Sequence, residues 1–136
     1  MRVNIELETS QTLDDETEVF TEYETGILRK TMDGGIIITY FDDGVHNEIL
    51  LDQDFTEVKV VRDFDEDNAF LYRENYHHAL AYKTEAGTMD LEFHTKLVEI
   101  DCIHQDSLLH IHLKYSIFQF GHPVSDNEVR IKVAKM

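Results

Sequence analysis

The sequence predicts an all-β domain, an antiparallel meander of about eight to ten strands closed into a barrel. Three observations lead there. Apolar residues recur at every second position through much of the chain, the signature of strands with one buried face. Asp43-Gly44 stands between the apolar runs Ile36–Phe41 and His46–Leu51 as a short-range hairpin signal. The C-terminal third can be registered strand against strand with apolar residues facing one another on one side. A meander that long does not stay open and flat, so closure is expected.

In the first strand Val3, Ile5 and Leu7 alternate with polar neighbours. Val19, Thr21, Tyr23, Thr25 and Ile27 repeat the pattern, which predicts that they form the buried face of the second. Val19, Phe20, Tyr23 and Ile27 also fit a helical stripe, but β-branched and aromatic residues dominate here and favour a strand. With Asp43-Gly44 as the turn, Ile38 faces Ile49 and Ile36 faces Leu51. Val58 and Val60, with Phe55 and Val61 nearby, supply the next strand. Phe70–Tyr72 and Leu80–Tyr82 are expected to form a further hairpin around Arg73–Tyr76.

Met89, Leu91 and Phe93 then alternate with Asp90, Glu92 and His94. The phase slips near Thr95–Leu97, because the next apolar positions are Val98, Ile100 and Cys102. One inserted residue, a β-bulge, accounts for the slip and bends the strand towards closure. A turn at Gln105-Asp106 sets Cys102 opposite Leu109, Ile100 opposite Ile111 and Val98 opposite Leu113. A loop over 121–125 sets Ile117 opposite Val129, Tyr115 opposite Ile131 and Leu113 opposite Val133.

A chain of 136 residues suits one domain with one core over 1–136. Roughly two thirds of its unfolded surface is buried on folding, so neither disulfide nor metal is needed as a staple. With 28 acids against 12 lysines and arginines, the net charge is −16. Such a surface repels phosphate backbones and anionic head groups, which argues against nucleic-acid and membrane partners but not against a basic protein. Cys102 is the only cysteine, so no intrachain disulfide forms and a reducing compartment is favoured. Acids stand where a signal peptide would carry its apolar core, and a cytoplasmic location is expected.

A family resemblance rests on short motifs spread along the chain. Tyr82-Lys83-Thr84-Glu85-Ala86-Gly87, then Thr95, Tyr115, Ser125 and the final Val129–Val133 strand resemble the YwiB-like family. Gly26, Tyr40 and Arg62 fall where that family keeps a glycine, a tyrosine and an arginine. The resemblance implies a bacterial protein with a calycin-like barrel, similar in shape to lipocalins, and carries no established activity. Two residues after the arginine the family shows glycine where Phe64 stands here, a departure that bears on the local turn and not on the fold.

Several groupings could carry chemistry. Asp63, Asp65, Asp67 and Glu74 have the spacing of a calcium loop, but position six is Asn68 and the flanks read as strands, so an acidic loop is the simpler account. His110 and His112 share a strand face, with Asp101 and Glu99 opposite in the register above. That set could ligate zinc, but cross-strand carboxylate–imidazole contacts are the simpler account and no metal cofactor is expected. Cys102, with His104 two residues on, is expected to face the core as an inert thiol. Nucleophile elbows, phosphate loops and dinucleotide fingerprints are missing from the sequence.

The barrel interior remains. Tyr40, Arg62, Tyr82, Thr84 and Tyr115, with Tyr23 and Tyr72, are expected on strands with several facing inward. Convergent hydroxyls and one arginine in an apolar cavity suit a small, mostly apolar or acidic ligand, or one that is lipid-like. The leading expectation is therefore a binding module rather than an enzyme. The alternative is an interaction or regulatory protein that uses its acidic outer face or a sheet edge.

Overall fold

A computed structural model describes residues 1–102 and 108–136. Ten strands follow one another: β1 (Arg2–Leu13), β2 (Glu16–Lys30), β3 (Ile36–Asp42), β4 (Val45–Leu51) and β5 (Glu57–Arg62) come first. After a 3₁₀ turn over Glu66–Asn68 come β6 (Phe70–Arg73), β7 (Tyr76–Thr84), β8 (Gly87–Asp101), β9 (Leu109–Gln119) and β10 (His122–Lys135). They form one antiparallel sheet in the order β6-β5-β4-β3-β2-β1-β10-β9-β8-β7. Every neighbour is consecutive in the chain except β1 and β10, which join the two halves. The sheet curls until β6 meets β7 and β8, making a nearly closed barrel. Among the described residues no helix is long and apolar enough to cross a membrane.

Three tight turns fix the long hairpins. Asp14-Asp15, Asp43-Gly44 and Phe120-Gly121 each hold positive φ at both central residues, the arrangement whose twist matches paired strands. The Asp43-Gly44 hairpin pairs Ile38 with Ile49 and Ile36 with Leu51, as its sequence requires. Asp63 and Phe64 are also left-handed, at φ 54° and 59°. Phe64 therefore adopts a backbone that glycine would take without strain, and its ring stacks on His46 at 4.0 Å.

The expected bulge is present: pairing between β8 and β9 shifts between Thr95 and Leu97, after which Val98 faces Leu113 and Ile100 faces Ile111. The carboxylate of Glu74 accepts a hydrogen bond from the Val98 amide beside it, at 3.2 Å. The Gln105-Asp106 turn and His104 lie outside the described residues.

Four expectations are corrected. Val19, Tyr23 and Ile27 face outward, Tyr23 with 75 % of its surface exposed. The buried Val3 and Ile5 pair with Gly26 and Glu24, so the even-numbered face of β2 is the inner one. β6 and β7 are not a hairpin: no ladder joins them, and they are the two edges of the sheet. The β9–β10 turn is at Phe120-Gly121, so Leu113 pairs with Val129 and Ile111 with Ile131, four residues from the expected register. An even shift leaves the faces unchanged, and Val124 is accommodated where the pairing slips between Pro123 and Ser125. Cys102, past the end of β8, is exposed and not a core residue.

Inward residues sort by height. At one end Val3, Leu28, Ile38, Ile49, Val58, Leu109, Ile111 and Val133 fill the interior with aliphatic side chains. Gly26 lets β2 approach β3 there, because a Cβ would meet the Thr39 carbonyl oxygen at 2.4 Å. Gly26→Ala should therefore unsettle the β2–β3 ladder and lower stability by about 2 kcal/mol or more in urea unfolding. Leu113→Ala, at a position 2 % exposed, should cost about 2–5 kcal/mol. His112→Ala one residue away, on the outer face, should cost under about 1 kcal/mol by the same measurement.

Candidate functional site: the open end of the barrel

Each inward row turns polar or aromatic at the other end. Ile38 gives way to Tyr40 on β3, Ile49 to Asn47 on β4, Val60 to Arg62 on β5 and Leu113 to Tyr115 on β9. Gly26, Tyr40, Asn47 and Arg62 are successive partners across four strands, so the hairpin registers alone bring them into one row. Thr95 pairs with Tyr115 and Tyr115 with Asn127 in a second row, where the Asn127 amide donates to Ser125 Oγ at 2.9 Å.

Between these rows lies a cavity of about 460 Å³, within the usual size range of small-molecule sites. Its floor is aromatic. Tyr72 and Tyr115 approach to 4.8 Å between ring centroids, Phe93 and Tyr115 to 5.7 Å, and Phe70 and Phe93 to 5.4 Å. Tyr82, Leu91 and Ile117 complete the wall. Burial raises both the Tyr72 and the Tyr115 phenol above the ordinary range.

The rim is charged. Arg62 lies 3.8 Å from the Asp42 carboxylate and donates to Asn47 Oδ1 at 3.4 Å, contacts long enough to leave most of its donors free. Glu22, Glu24 and Asp42 bring their carboxylate oxygens within 4.8 Å of one another. Burial, then the charges of Asp42, Glu22 and Asp43, raise the Glu24 carboxyl. The phenol of Tyr40 is pushed up to about 12, first by burial and then by Glu22, Asp42 and Glu24, with Arg62 opposing.

Comparison with known proteins fits this architecture. Residues 5–131 match the family model described as a domain of unknown function, DUF1934. The chain belongs to this family. The crystal structure of the ywiB protein from Bacillus subtilis superposes with a TM-score of 0.81 at 15 % identity, over 99 % of this chain and 92 % of that one. At that identity the likeness speaks for the fold alone. No curated protein matches the chain.

In this family member the predicted interior residues divide. Tyr40, Arg62, Tyr82 and Tyr115 line the cavity together, and Tyr72 joins them. Thr84 does not: it sits at the β7–β8 tip, where its hydroxyl donates to the Gly87 carbonyl at 2.8 Å. Tyr23 faces outward, on the opposite side of β2 from Glu22 and Glu24. Asn47, Phe93, Glu22 and Asp42 were not anticipated. Asn47 was within reach of sequence reasoning, since the Asp43-Gly44 register puts it opposite Tyr40. Glu22 is not, because the alternation over Val19, Thr21, Tyr23, Thr25 and Ile27 points to the opposite face of β2.

The other groupings stay apart. Glu99 pairs with His112 and Asp101 with His110 across the ladder as expected, yet these four do not converge as a group of ligands. The His112 imidazole instead lies 3.2 Å from Glu128 on β10, and that contact is the chief cause holding the Glu128 carboxyl below its usual range. In the acidic loop Asp65 accepts from Asn68 at 2.8 Å, Glu66 pairs with Lys59 at 2.8 Å, and Glu74 is committed to Val98. The calcium-loop carboxylates thus form no cluster.

Tyr40 generates a pH test. An unfolded tyrosine ionises near 10, whereas the native phenol keeps its proton to about 12. Above about 10 the unfolded chain therefore binds fewer protons than the native one, and stability falls as pH rises to about 12. Between these limits the native protein should lose roughly 2 kcal/mol more than its Tyr40→Phe variant, as read from urea unfolding at each pH.

Proposed function

We propose that this domain binds a small, mostly apolar molecule at the open end of the barrel, with the ligand's polar end at the rim. The observation that carries the reading is the aromatic-floored cavity of about 460 Å³ beneath Tyr40 and Arg62. Aromatic walls supply apolar contact, and Tyr82, Asn47 and Arg62 supply the few polar groups that orient a guest. Three carboxylates against one guanidinium make the rim repel an acid, so the polar end is neutral or cationic.

Thermal-shift titration with straight-chain molecules of about eight carbons tests this. A primary amine and an alcohol should raise the melting temperature, and the carboxylate of the same length should not. Arg62, with its side chain 48 % exposed, should be replaceable by alanine at under about 1 kcal/mol of stability. That variant should bind the alcohol more weakly and the amine more tightly. No shift with any of the three would overturn the reading.

A free sheet edge supports a second reading, that of an interaction protein. Among the described residues β2 pairs with β3 only over Gly26–Lys30, and none pairs with Glu16–Thr25 on that side. Leu28 exchanges backbone bonds with Met1, so even-numbered residues of β2 bond β1 and odd-numbered ones point their backbone groups outward. With Glu16, Glu18, Glu22 and Glu24 on one face, the strand this edge suits is an extended basic one. An alternating Lys/Val peptide should shift the amide signals of Thr17–Thr25. Thr21→Pro, which removes an outward N–H while sparing the β1 ladder, should weaken that binding at least about fivefold without unfolding the barrel. Unchanged spectra would rule this reading out.

A further inference from the structure

A second cluster of metal-ligating side chains lies on the outer face of the β7–β8 hairpin, the side of β8 opposite the cavity-lining Leu91 and Phe93. His77 and His94 are direct cross-strand partners, and Glu92 is two residues before His94 on the same face. Both imidazoles turn a nitrogen towards one carboxylate oxygen: His94 Nε2 lies 2.6 Å and His77 Nδ1 3.6 Å from Glu92 Oε1. One ligand atom from each of the three residues lies within 4.8 Å of the others. We propose that His77, Glu92 and His94 bind a late first-row divalent cation, with zinc as the type.

The donor set determines the class of ion. Two imidazoles and one carboxylate suit zinc, copper or nickel, whereas calcium and magnesium take oxygen ligands. Three protein ligands on an exposed face leave the fourth zinc position to water. A net charge of −16 raises the local concentration of any divalent cation.

Half of the site is held in place. The His94 ring is sandwiched between His77, at 3.7 Å, and Phe118, at 4.2 Å. The His77 and His94 planes differ by only 8°, so no single ion lies in both ring planes as they stand. His77, its side chain 61 % exposed, is the ring with room to swing out of the stack and complete the set. The ion takes the place of the hydrogen bond between His94 Nε2 and Glu92 Oε1.

Zinc chloride titration by calorimetry, on chelator-treated full-length protein carrying Cys102→Ser to remove the exposed thiol, tests the proposal. One zinc per chain should bind in the micromolar range, with magnesium giving no heat. His94→Ala and Glu92→Gln should each weaken binding at least tenfold, while His110→Ala should not. On the protein without any histidine substitution, trace Cu²⁺ should broaden the ring signals of His77 and His94 before those of the other imidazoles. Zinc affinity that survives His94→Ala, or broadening spread evenly over all the histidines, would overturn the assignment.

Discussion

The barrel closes through side chains at a single seam, and the site depends on that seam. β6 and β7 share no ladder, so the backbone supplies no hydrogen bonds to hold the two sheet edges together. Aromatic contacts do it instead: Phe70 against Phe93 and Tyr82, and Tyr72 against Phe93 and Tyr115. Such pairs add about 0.5–1.5 kcal/mol each beyond the area they bury. His78 Nε2 meets the Ala69 carbonyl at 3.0 Å, bridging from β7 to the residue before β6. A ladder would have drawn the edges to backbone spacing. Large rings hold them wider, and the space left above the rings is the cavity.

That arrangement divides the barrel along its axis. The aliphatic end is packed by Ile, Leu and Val from both halves of the sheet, with the β1–β10 ladder joining them. The open end takes polar side chains from the same inward rows. Desolvation of those groups is limited by the opening, which lets Arg62 and Glu22 remain hydrated while Tyr40 is buried beside them. Fold and site are thus two stretches of one set of strands. The residues carrying the family resemblance, Gly26, Tyr40 and Arg62 in one row and Thr95 and Tyr115 in the other, flank the transition.

What was legible in the sequence follows from which signals are local. Asp43-Gly44 fixed a register because turn chemistry acts over four residues, and the slip at Thr95–Leu97 exposed the bulge because it breaks a period of two. Four of the five proposed interior residues fell in one cavity for the same reason: parity along a strand survives even a register error of four. The failures were non-local. β2 carries Val19, Tyr23 and Ile27 outward, and only the pairing of Val3 and Ile5 with Gly26 and Glu24 reveals which face is inner. Phe120 at positive φ is not a turn signal that composition offers, so that hairpin was misplaced. The seam could not be read at all. Two strands separated by a short turn look like a hairpin, and nothing local to them says that their facing edges stay unpaired.

The outer half of β2 shows how an open edge is kept from becoming a template for its own kind. Antiparallel pairing of two copies must bring residues of like parity opposite one another on the same face. Pairing centred on Phe20 would set Glu18 against Glu22 and Glu16 against Glu24, and shifting the centre by one residue along that face still opposes Glu to Glu. Like charges directly opposite are destabilising, so self-association at this edge is disfavoured in each near register. The same glutamates continue inward as Glu22 and Glu24 at the cavity rim. One alternating acidic stretch therefore guards the edge along its whole length and sets the charge of the opening at its inner end, so a change at Glu22 or Glu24 alters both.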